Sequence, residues 1–225
     1  MDISIVIPAL NEEATLAATV ASARGPGVRE VIVVDGGSSD GTADLARHLA
    51  ARVLSAPRGR ALQMNAGAAA ATGTVLLFLH ADTLLPEGFD TAVLTALQNP
   101  RVVGGRFDLL LMPGSFLLAL TATLINLRSR LSRIATGDQA IFVRRRVFGD
   151  LGGFPELPLM EDIAFSRALK RAGGVACLRQ KVTTSSRRWR QNGVLRTILL
   201  MWSLRLLYLC GVSPERLRRA YADRR

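Results

Sequence analysis

The sequence predicts an α/β domain in which a mostly parallel central sheet carries helices on both faces. In the first half, short apolar runs alternate with longer amphipathic stretches, as in β-α-β units. These runs are continuous rather than interrupted by alternating polar residues, which is typical of parallel strands buried on both faces. The 225 residues are 49% hydrophobic and 21% charged, a composition that excludes a disordered or fibrous protein.

The predicted elements of the first half follow in order along the chain. Residues 3–7 form the first apolar run, and Asn11 is in position to cap the helix after it. The elements that follow are strand 30–34, helix 41–51, strand 52–54, helix 61–71 and strand 75–79. Ligands of such sheets bind at the carboxyl ends of the strands, so the site is expected in the loops that follow these strands.

The second half is less regular. Its apolar runs predict strands over residues 102–108 and 139–143, a helix over 116–127 between them, and a helix over 160–172. The run 198–212 has 15 residues and contains Arg205, so it is too short for a membrane span of about 20 residues. Burial in a core or subunit contact and contact with a membrane surface both remain open for this run.

The chain carries 29 Lys and Arg residues against 18 Asp and Glu residues, which gives a formal net charge of +11. Most of the excess is arginine in the second half, and it indicates either an anionic partner or a compositional bias. The two cysteines, Cys177 and Cys210, are far apart and form no metal or redox motif. The first residues lack the pattern of a signal peptide, so we expect a cytoplasmic protein.

Several common catalytic motifs do not occur in the sequence. There is no Gly-Lys-Ser/Thr phosphate loop, no G-x-G-x-x-G after the first strand and no G-x-S-x-G. The sequence therefore does not indicate P-loop nucleotide hydrolysis, dinucleotide oxidoreduction or an α/β serine hydrolase.

Polar residues follow three of the predicted strands. They are Asn11 with Glu12, Asp35, and His80 with Asp82. A carboxylate such as Asp82, directly after a buried strand, suits Mg²⁺ or Mn²⁺ bound to a diphosphate, because these ions take oxygen ligands and share them with substrate phosphates. Each aspartate alone could be a turn or helix-cap residue, but their position at adjacent strand ends favours a binding site.

The ordered series of motifs resembles the family-2 glycosyltransferases of the GT-A fold. The matching segments are residues 5–13, 33–42, 59–67, 77–83, 152–156 and 160–163. The resemblance implies a GT-A glycosyltransferase domain over residues 1–190. It leaves residues 191–225 as a C-terminal helical extension, packed on that domain or on a membrane surface.

The resemblance also implies roles for individual residues. Asp35 would read the nucleotide base, Asp82 would bind the metal ion as the last residue of a D-x-D motif, and Asp162 would be the catalytic base. Glu161, beside it, is the alternative base. The residues implied to bind the nucleotide sugar are Pro8, Ala9, Asn11, Glu12, Asp35, Gly36, Arg60, Asn65, His80, Ala81 and Asp82.

Two motifs depart from the family pattern. His80 stands at the first position of D-x-D, where an imidazole can hydrogen-bond a ribose or a diphosphate, or bind Mn²⁺. The late Q-x-x-R-W element is only loosely matched by Arg187, Arg188 and Trp189, which are weak candidates for contact with the acceptor or the diphosphate.

The predicted function is inverting transfer of a sugar, of the hexosyltransferase type, from a UDP- or GDP-sugar to a hydroxyl acceptor, with lipids among the candidate acceptors. The diphosphate leaving group needs charge neutralisation by Mg²⁺ or Mn²⁺, and one carboxylate suffices to take the hydroxyl proton. One alternative is a sugar-phosphate nucleotidyltransferase, which would need a Gly-rich phosphate loop where residues 8–12 stand. The other is a non-catalytic basic module that binds membranes or polyanions. Peripheral contact with the inner face of a membrane is expected, and a nucleic-acid partner is not.

Overall fold

The structure is a computed structural model that describes residues 1–49 and 52–222. Its strands are β1 (Ile3–Ala9), β2 (Val28–Asp35), β3 (Arg52–Ser55), β4 (Val75–Phe78), β5 (Thr83–Leu84), β6 (Val102–Met112), β7 (Ile141–Arg144) and β8 (Gly174–Ser185). Its helices are α1 (Glu13–Ser22), α2 (Thr42–His48), α3 (Arg60–Ala70), α4 (Phe89–Ala96), α5 (Phe116–Ser132), α6 (Arg145–Asp150), α7 (Glu161–Ala172), α8 (Arg187–Asn192), α9 (Val194–Leu209) and α10 (Pro214–Ala222). A short 3₁₀ turn, Gly137–Gln139, precedes β7.

The strands of the described residues form one sheet in the order β3-β2-β1-β4-β7-β6-β8-β5. β1 pairs in parallel with β2 and β4, and β2 pairs in parallel with β3. β7 is antiparallel to both β4 and β6, whereas β6 and β8 run parallel to each other. The short β5 is antiparallel to β8. The predicted α/β class with a mostly parallel sheet is therefore confirmed.

β1 lies between apolar layers on both faces of the sheet. Ile3, Ile5 and Ile7 pack into one apolar cluster, and Val6 packs into another on the opposite face. All four side chains are fully buried. Successive side chains of a strand point to opposite faces, so a strand with apolar residues on both faces needs an apolar layer on each side. This is why a continuous apolar run correctly predicted a buried strand.

A third, smaller apolar cluster joins the C-terminal helices to the rest of the molecule. Met160 and Ile163, at the start of α7, pack with Leu204 of α9 and Leu217 of α10, and all four are buried. α9 also contacts α5. The C-terminal helices therefore lie against the N-terminal end of α7. Within the described ranges, no helix is both long and apolar enough to cross a bilayer.

The prediction that Asn11 caps α1 is wrong. The helix begins at Glu13, and Asn11 adopts a left-handed backbone conformation with φ 54°. The Asn11 Oδ1 accepts a hydrogen bond from the backbone N–H of Ser39 at 2.8 Å. Asparagine tolerates positive φ better than most residues, so its side chain binds the neighbouring loop instead of the first turn of the helix.

Element boundaries also differ from the predicted ones. The helix predicted over residues 41–51 is Thr42–His48, and Ala50 and Ala51 lie outside the described residues. β6 continues to Met112 and α5 continues to Ser132, beyond the ends predicted at residues 108 and 127. The strand predicted over residues 139–143 is shifted to 141–144, because the 3₁₀ turn occupies its first residue.

The longest strand that the sequence pattern missed is β8. Its middle residues, Arg179, Gln180 and Lys181, are exposed, and its register against β6 shifts at this point. The strand therefore has no continuous apolar run and no regular alternation. The pairing with β6 places it in the sheet, and a local pattern cannot report such a pairing.

Candidate active site

The carboxyl ends of β1 and β2 are held together by Gln63, a buried residue of α3. The Gln63 Nε2 donates hydrogen bonds to the carbonyl oxygens of Ala9 and Val34, both at 2.8 Å. The backbone N–H of Gly36 donates to the Ala9 carbonyl at 2.9 Å. A Cβ atom at Gly36 would lie 2.9 Å from the Gln63 Nε2, so this position has no room for a side chain. Gln63 lies in a family motif but was not among the predicted site residues.

Asp35 orders the loop that follows β2. Its carboxylate accepts hydrogen bonds from the backbone N–H groups of Gly37 at 3.0 Å and Ser38 at 3.1 Å. Asn11 holds the next residue of this loop, as described above. Asp35 therefore stabilises a turn, as its sequence context allowed. Its carboxylate lies at the carboxyl end of β2, where the nucleotide is expected.

Arg187 connects two predicted parts of the site that lie far apart in the sequence. Its Nη2 is 3.2 Å from both carboxylate oxygens of Glu12, which follows β1. Just before it, the backbone N–H of Ser185 donates to the carbonyl oxygen of Asp82 at 3.2 Å. The end of β8 therefore lies against the loops after β1 and β4.

Several other predicted site residues have positions that the structure defines. The Asn65 side-chain amide donates a hydrogen bond to the Phe154 carbonyl oxygen at 2.8 Å and accepts one from the Phe154 N–H at 2.9 Å. Asn65 therefore fixes the loop before α7. Trp189 packs against the apolar core. Arg188 lies in α8, and its side chain lies outside the described part of the molecule. The predicted residues that are buried at the strand ends are Pro8, Ala9, Asp35, Gly36 and Ala81.

Asp162 and His80 meet at Gly137. The Asp162 Oδ2 accepts a hydrogen bond from the Gly137 N–H at 2.8 Å, and its Oδ1 accepts one from the Ile163 N–H at 2.7 Å. A Cβ atom at Gly137 would lie 2.6 Å from the His80 Nε2 and 3.8 Å from the Asp162 Oδ2. The 3₁₀ turn thus brings the predicted base beside the residue at the first D-x-D position. Gly137 was not predicted as a site residue, and no sequence signal distinguished it from other loop glycines.

Glu161 points away from Asp162, although the two are adjacent. Its side chain is 3% exposed, and its Oε1 accepts a hydrogen bond from the Arg60 Nε at 2.8 Å. Among the described residues, its Oε2 is buried without a hydrogen-bond partner. Burial raises the pKa of Glu161, and the nearby positive charge of Arg60 opposes that rise. Neighbouring helix positions do not share a face, so Glu161 anchors α7 to α3 while Asp162 faces the turn.

The residues after β4 can supply part of a metal site. Within residues 1–49 and 52–222, no group of three or more His, Cys, Asp or Glu side chains is arranged to hold a metal ion. Asp82 would offer a carboxylate and His80 an imidazole. Mg²⁺ and Mn²⁺ commonly take one or two carboxylates and complete their coordination with substrate phosphates and water. The donor set therefore fits a metal ion that binds together with a diphosphate.

Comparisons with known proteins show the family of this chain. The family model described as "Glycosyl transferase family 2" matches residues 4–149. The chain belongs to glycosyl transferase family 2. A relative of this chain is the "PGL/p-HBAD biosynthesis glycosyltransferase" of Mycobacterium tuberculosis, 35% identical over 164 residues. That match covers 67% of this chain and 62% of the relative, so the chain spans less than two thirds of the relative's length.

Solved structures show the same fold as this member of family 2. S. aureus TarS has a TM-score of 0.66 at 18% identity, over 83% of this chain and 61% of that one. Glucosyl-3-phosphoglycerate synthase from Mycobacterium tuberculosis has a TM-score of 0.63 at 23% identity, over 94% and 80% of the two chains. The predicted GT-A fold and glycosyltransferase family are therefore confirmed. The family membership favours a transferase over the nucleotidyltransferase and the non-catalytic module.

Proposed function

We propose that this glycosyltransferase transfers a sugar, with inversion, from a UDP- or GDP-sugar to a hydroxyl acceptor, and that Asp162 is the base. The observation that carries this proposal is the meeting of Asp162 and His80 at Gly137. It brings a carboxylate from the start of α7 to the loop after β4, where a donor diphosphate is expected in a sheet of this kind.

The solved relatives support the donor class and the metal. S. aureus TarS was crystallised with UDP-GlcNAc. The glucosyl-3-phosphoglycerate synthase was crystallised with Mn²⁺ and UDP, and a mannosyltransferase from Pyrobaculum calidifontis with GDP-Man and Mn²⁺. We infer a nucleotide-diphosphate donor and a divalent ion, Mg²⁺ or Mn²⁺, for this chain too.

Each residue of the site has a distinct part in the proposed reaction. Asp162 takes the proton of the acceptor hydroxyl as that oxygen attacks the anomeric carbon from the face opposite the diphosphate. The Gly137 and Ile163 N–H groups orient its carboxylate. A bound Mg²⁺ or Mn²⁺, held by Asp82 and His80 with the phosphates, would neutralise the charge of the leaving diphosphate. Gln63 keeps the ends of β1 and β2 at a fixed distance for the nucleotide.

The test compares Asp162→Asn with Asp82→Asn. We expect Asp162→Asn to lower turnover about 10²- to 10⁴-fold, the usual contribution of a general base, while leaving the binding of UDP or GDP with Mn²⁺ unchanged. Asp82→Asn should weaken metal-dependent nucleotide binding as well. Release of nucleotide from a panel of UDP- and GDP-sugars measures turnover, and calorimetry with Mn²⁺ or with a chelator measures binding.

Asp44→Asn is a suitable control, because the Asp44 side chain is 78% exposed on α2. Near-normal turnover of Asp162→Asn would overturn the base assignment and make Glu161 the next candidate. Equally weak binding of every nucleotide, with and without Mn²⁺, would contradict the donor assignment.

Peripheral contact with an anionic membrane surface, at the cytoplasmic inner face, is the second part of the proposal. Two rows of exposed apolar side chains, here called the α5 stripe and the α9 stripe, repeat at helical spacing on two contacting helices. The α5 stripe is Phe116, Leu120, Leu124, Leu127 and Leu131, and the α9 stripe is Leu195, Leu199, Trp202, Leu206 and Leu209. Residues 186–222 contain eight arginines and one acidic residue, so their charge is complementary to anionic headgroups.

A further inference from the structure

Arg128 of α5 has buried guanidinium nitrogens that lack a hydrogen-bond acceptor within residues 1–49 and 52–222. Among the described residues, its Nε and Nη2 are buried and make no hydrogen bond. The neighbouring arginines each reach a carboxylate: Arg106 pairs with Asp108, although its Nε is also unpartnered among the described residues, and Arg130 donates to the same carboxylate at 2.6 Å. A guanidinium that loses water without gaining an acceptor destabilises the fold. A ligand that supplied the missing acceptor would remove this cost.

The charges around Arg128 include that of the proposed base, Asp162. Burial, together with the positive charge of Arg205 on α9, lowers the pKa of Arg128 to about 10, and the negative charges of Asp138 and Asp162 oppose the change. The guanidinium therefore stays charged at neutral pH. Within the described residues, the Asp138 Oδ1 is also buried without a hydrogen-bond partner. Arg128 thus interacts electrostatically both with Arg205, on a contacting helix, and with the carboxylate that must meet the acceptor.

We propose that Arg128, together with Arg205, binds a phosphate group of the acceptor. The inference rests on the proposed function, because it assumes that the hydroxyl to be glycosylated lies at Asp162. The planar guanidinium matches two phosphate oxygens at once, and two arginines suit a doubly charged group. Their charge also offsets the repulsion between that group and the Asp162 carboxylate.

The phosphate could be carried by a soluble molecule or by a lipid. Residues three and four positions apart are neighbours on a helix surface. Arg128 therefore lies next to Leu124 and Leu131 of the α5 stripe, and Arg205 lies next to Trp202 and Leu209 of the α9 stripe. A lipid at a membrane surface could therefore place its phosphate at the two arginines while its acyl chains contact the two stripes.

The first experiment measures thermal stability with and without inorganic phosphate, at constant ionic strength. For the natural chain we expect phosphate to raise the Tm by about 2–4 °C, because a ligand of the folded state stabilises it. Arg128→Met should melt about 2–4 °C higher than the natural chain without phosphate, because an unpaired buried charge is removed. It should gain nothing from phosphate.

Arg205→Met should likewise lose the response to phosphate, which keeps the test valid if Arg128→Met folds poorly. Arg196→Gln is the matched control, since Arg196 is exposed on the same helix as Arg205, and its response should be that of the natural chain. The measurement needs no turnover, so a wrong base at Asp162 would not affect it.

The second experiment identifies the source of the phosphate. Binding is compared on vesicles that contain phosphatidate or phosphatidylglycerol at equal surface charge, because only phosphatidate carries a phosphate monoester. A preference for phosphatidate that Arg128→Met removes supports a lipid phosphate, and a phosphate response without that preference supports a soluble one. A phosphate response unchanged in Arg128→Met overturns the proposal. Loss of UDP binding with Mn²⁺ in Arg128→Met also overturns the proposal, because it would place Arg128 at the donor.

Discussion

Gly137 is the residue through which the loop after β4 touches the start of α7. Its N–H donates a hydrogen bond to the Asp162 Oδ2, and a Cβ atom built on its Cα would lie 2.6 Å from the His80 Nε2. Any side chain at this position would occupy the place of the imidazole. A glycine at position 137 therefore allows the close approach of His80 to Asp162, the proposed base.

We expect Gly137→Ala to lower turnover about 10- to 100-fold, because a displacement of catalytic groups by about 1 Å has effects of this size. The new Cβ would lie 2.6 Å from the His80 Nε2, so the imidazole must move. The Tm should change little, since only the end of one side chain is displaced. Nucleotide release measures turnover, and a thermal melt measures stability.

Gly149→Ala is the matched control for this change. A Cβ atom at Gly149 would meet no other atom within 4 Å, so this variant should keep normal turnover. Normal turnover of Gly137→Ala would show that the position of His80 does not matter for the reaction.

At the scale of elements, α5 and α9 combine a packed face with an exposed apolar face. Thr197 and Leu204 are the buried residues of α9, and the stripe on its other side stays exposed. Exposed apolar rows of this kind mark surfaces that contact a membrane or another protein. The arginines around these helices favour the membrane.

We expect the double change Leu199→Ser and Trp202→Ser to weaken binding to anionic vesicles about tenfold or more, because each apolar side chain of this size contributes about 1.5–3 kcal/mol when it leaves water. The two side chains are 68% and 63% exposed, so their loss should not affect folding. Flotation with phosphatidylglycerol vesicles and with neutral phosphatidylcholine vesicles at low salt measures binding.

Leu207→Ser serves as the control, since Leu207 is exposed on α9 but lies outside the stripe. If the natural chain ignores anionic vesicles at low salt, the membrane assignment is wrong. A concentration-dependent change of mass that the double variant abolishes would assign the stripes to contact between two copies of the chain.

At the scale of the whole molecule, Asp2 connects the first residues of β1 with the neighbouring strands. Its Oδ1 accepts a hydrogen bond from the Thr74 N–H at 2.9 Å, and its Oδ2 accepts one from Arg29 at 2.9 Å. The hydrogen bond from the Thr74 backbone is the largest cause that lowers the pKa of Asp2 from its usual 3.8 to about 2. This carboxylate therefore links the amino ends of β1, β2 and β4, at the opposite end of these strands from the site.

We expect Asp2→Asn to lower the Tm at pH 6 and the difference from the natural chain to shrink as the pH falls. The pKa of Asp2 is lower in the folded than in the unfolded chain, so its stabilising effect is fully present above pH 3.8 and is lost as the pH falls through about 2. Thermal melts at several pH values between 6 and 2 measure the effect.

Asp44→Asn again provides the control, because Asp44 is highly exposed and pairs with Arg47 of its own helix. A Tm difference for Asp2→Asn that stays constant over the whole pH range would show that packing, not charge, is responsible.

The sequence alone was enough to predict the parallel core and the positions of the main motifs. β1 and β4 could be predicted because their residues are apolar on both faces, and such runs occur where helices cover a sheet on both sides. The strand ends at Asp35 and Asp82 followed from the same pattern. These features depend on neighbouring residues, so a local pattern contains the information.

Tertiary structure decided the contacts between residues that are distant in the chain. Asn11 binds a loop instead of its own helix, β8 enters the sheet through β6, and Gly137 joins His80 to Asp162. That Arg128 has buried nitrogens without an acceptor among the described residues also became visible only in the folded structure. Each of these contacts depends on the path of the chain through several elements, and the free energy of long-range packing overrides the preference of a short segment.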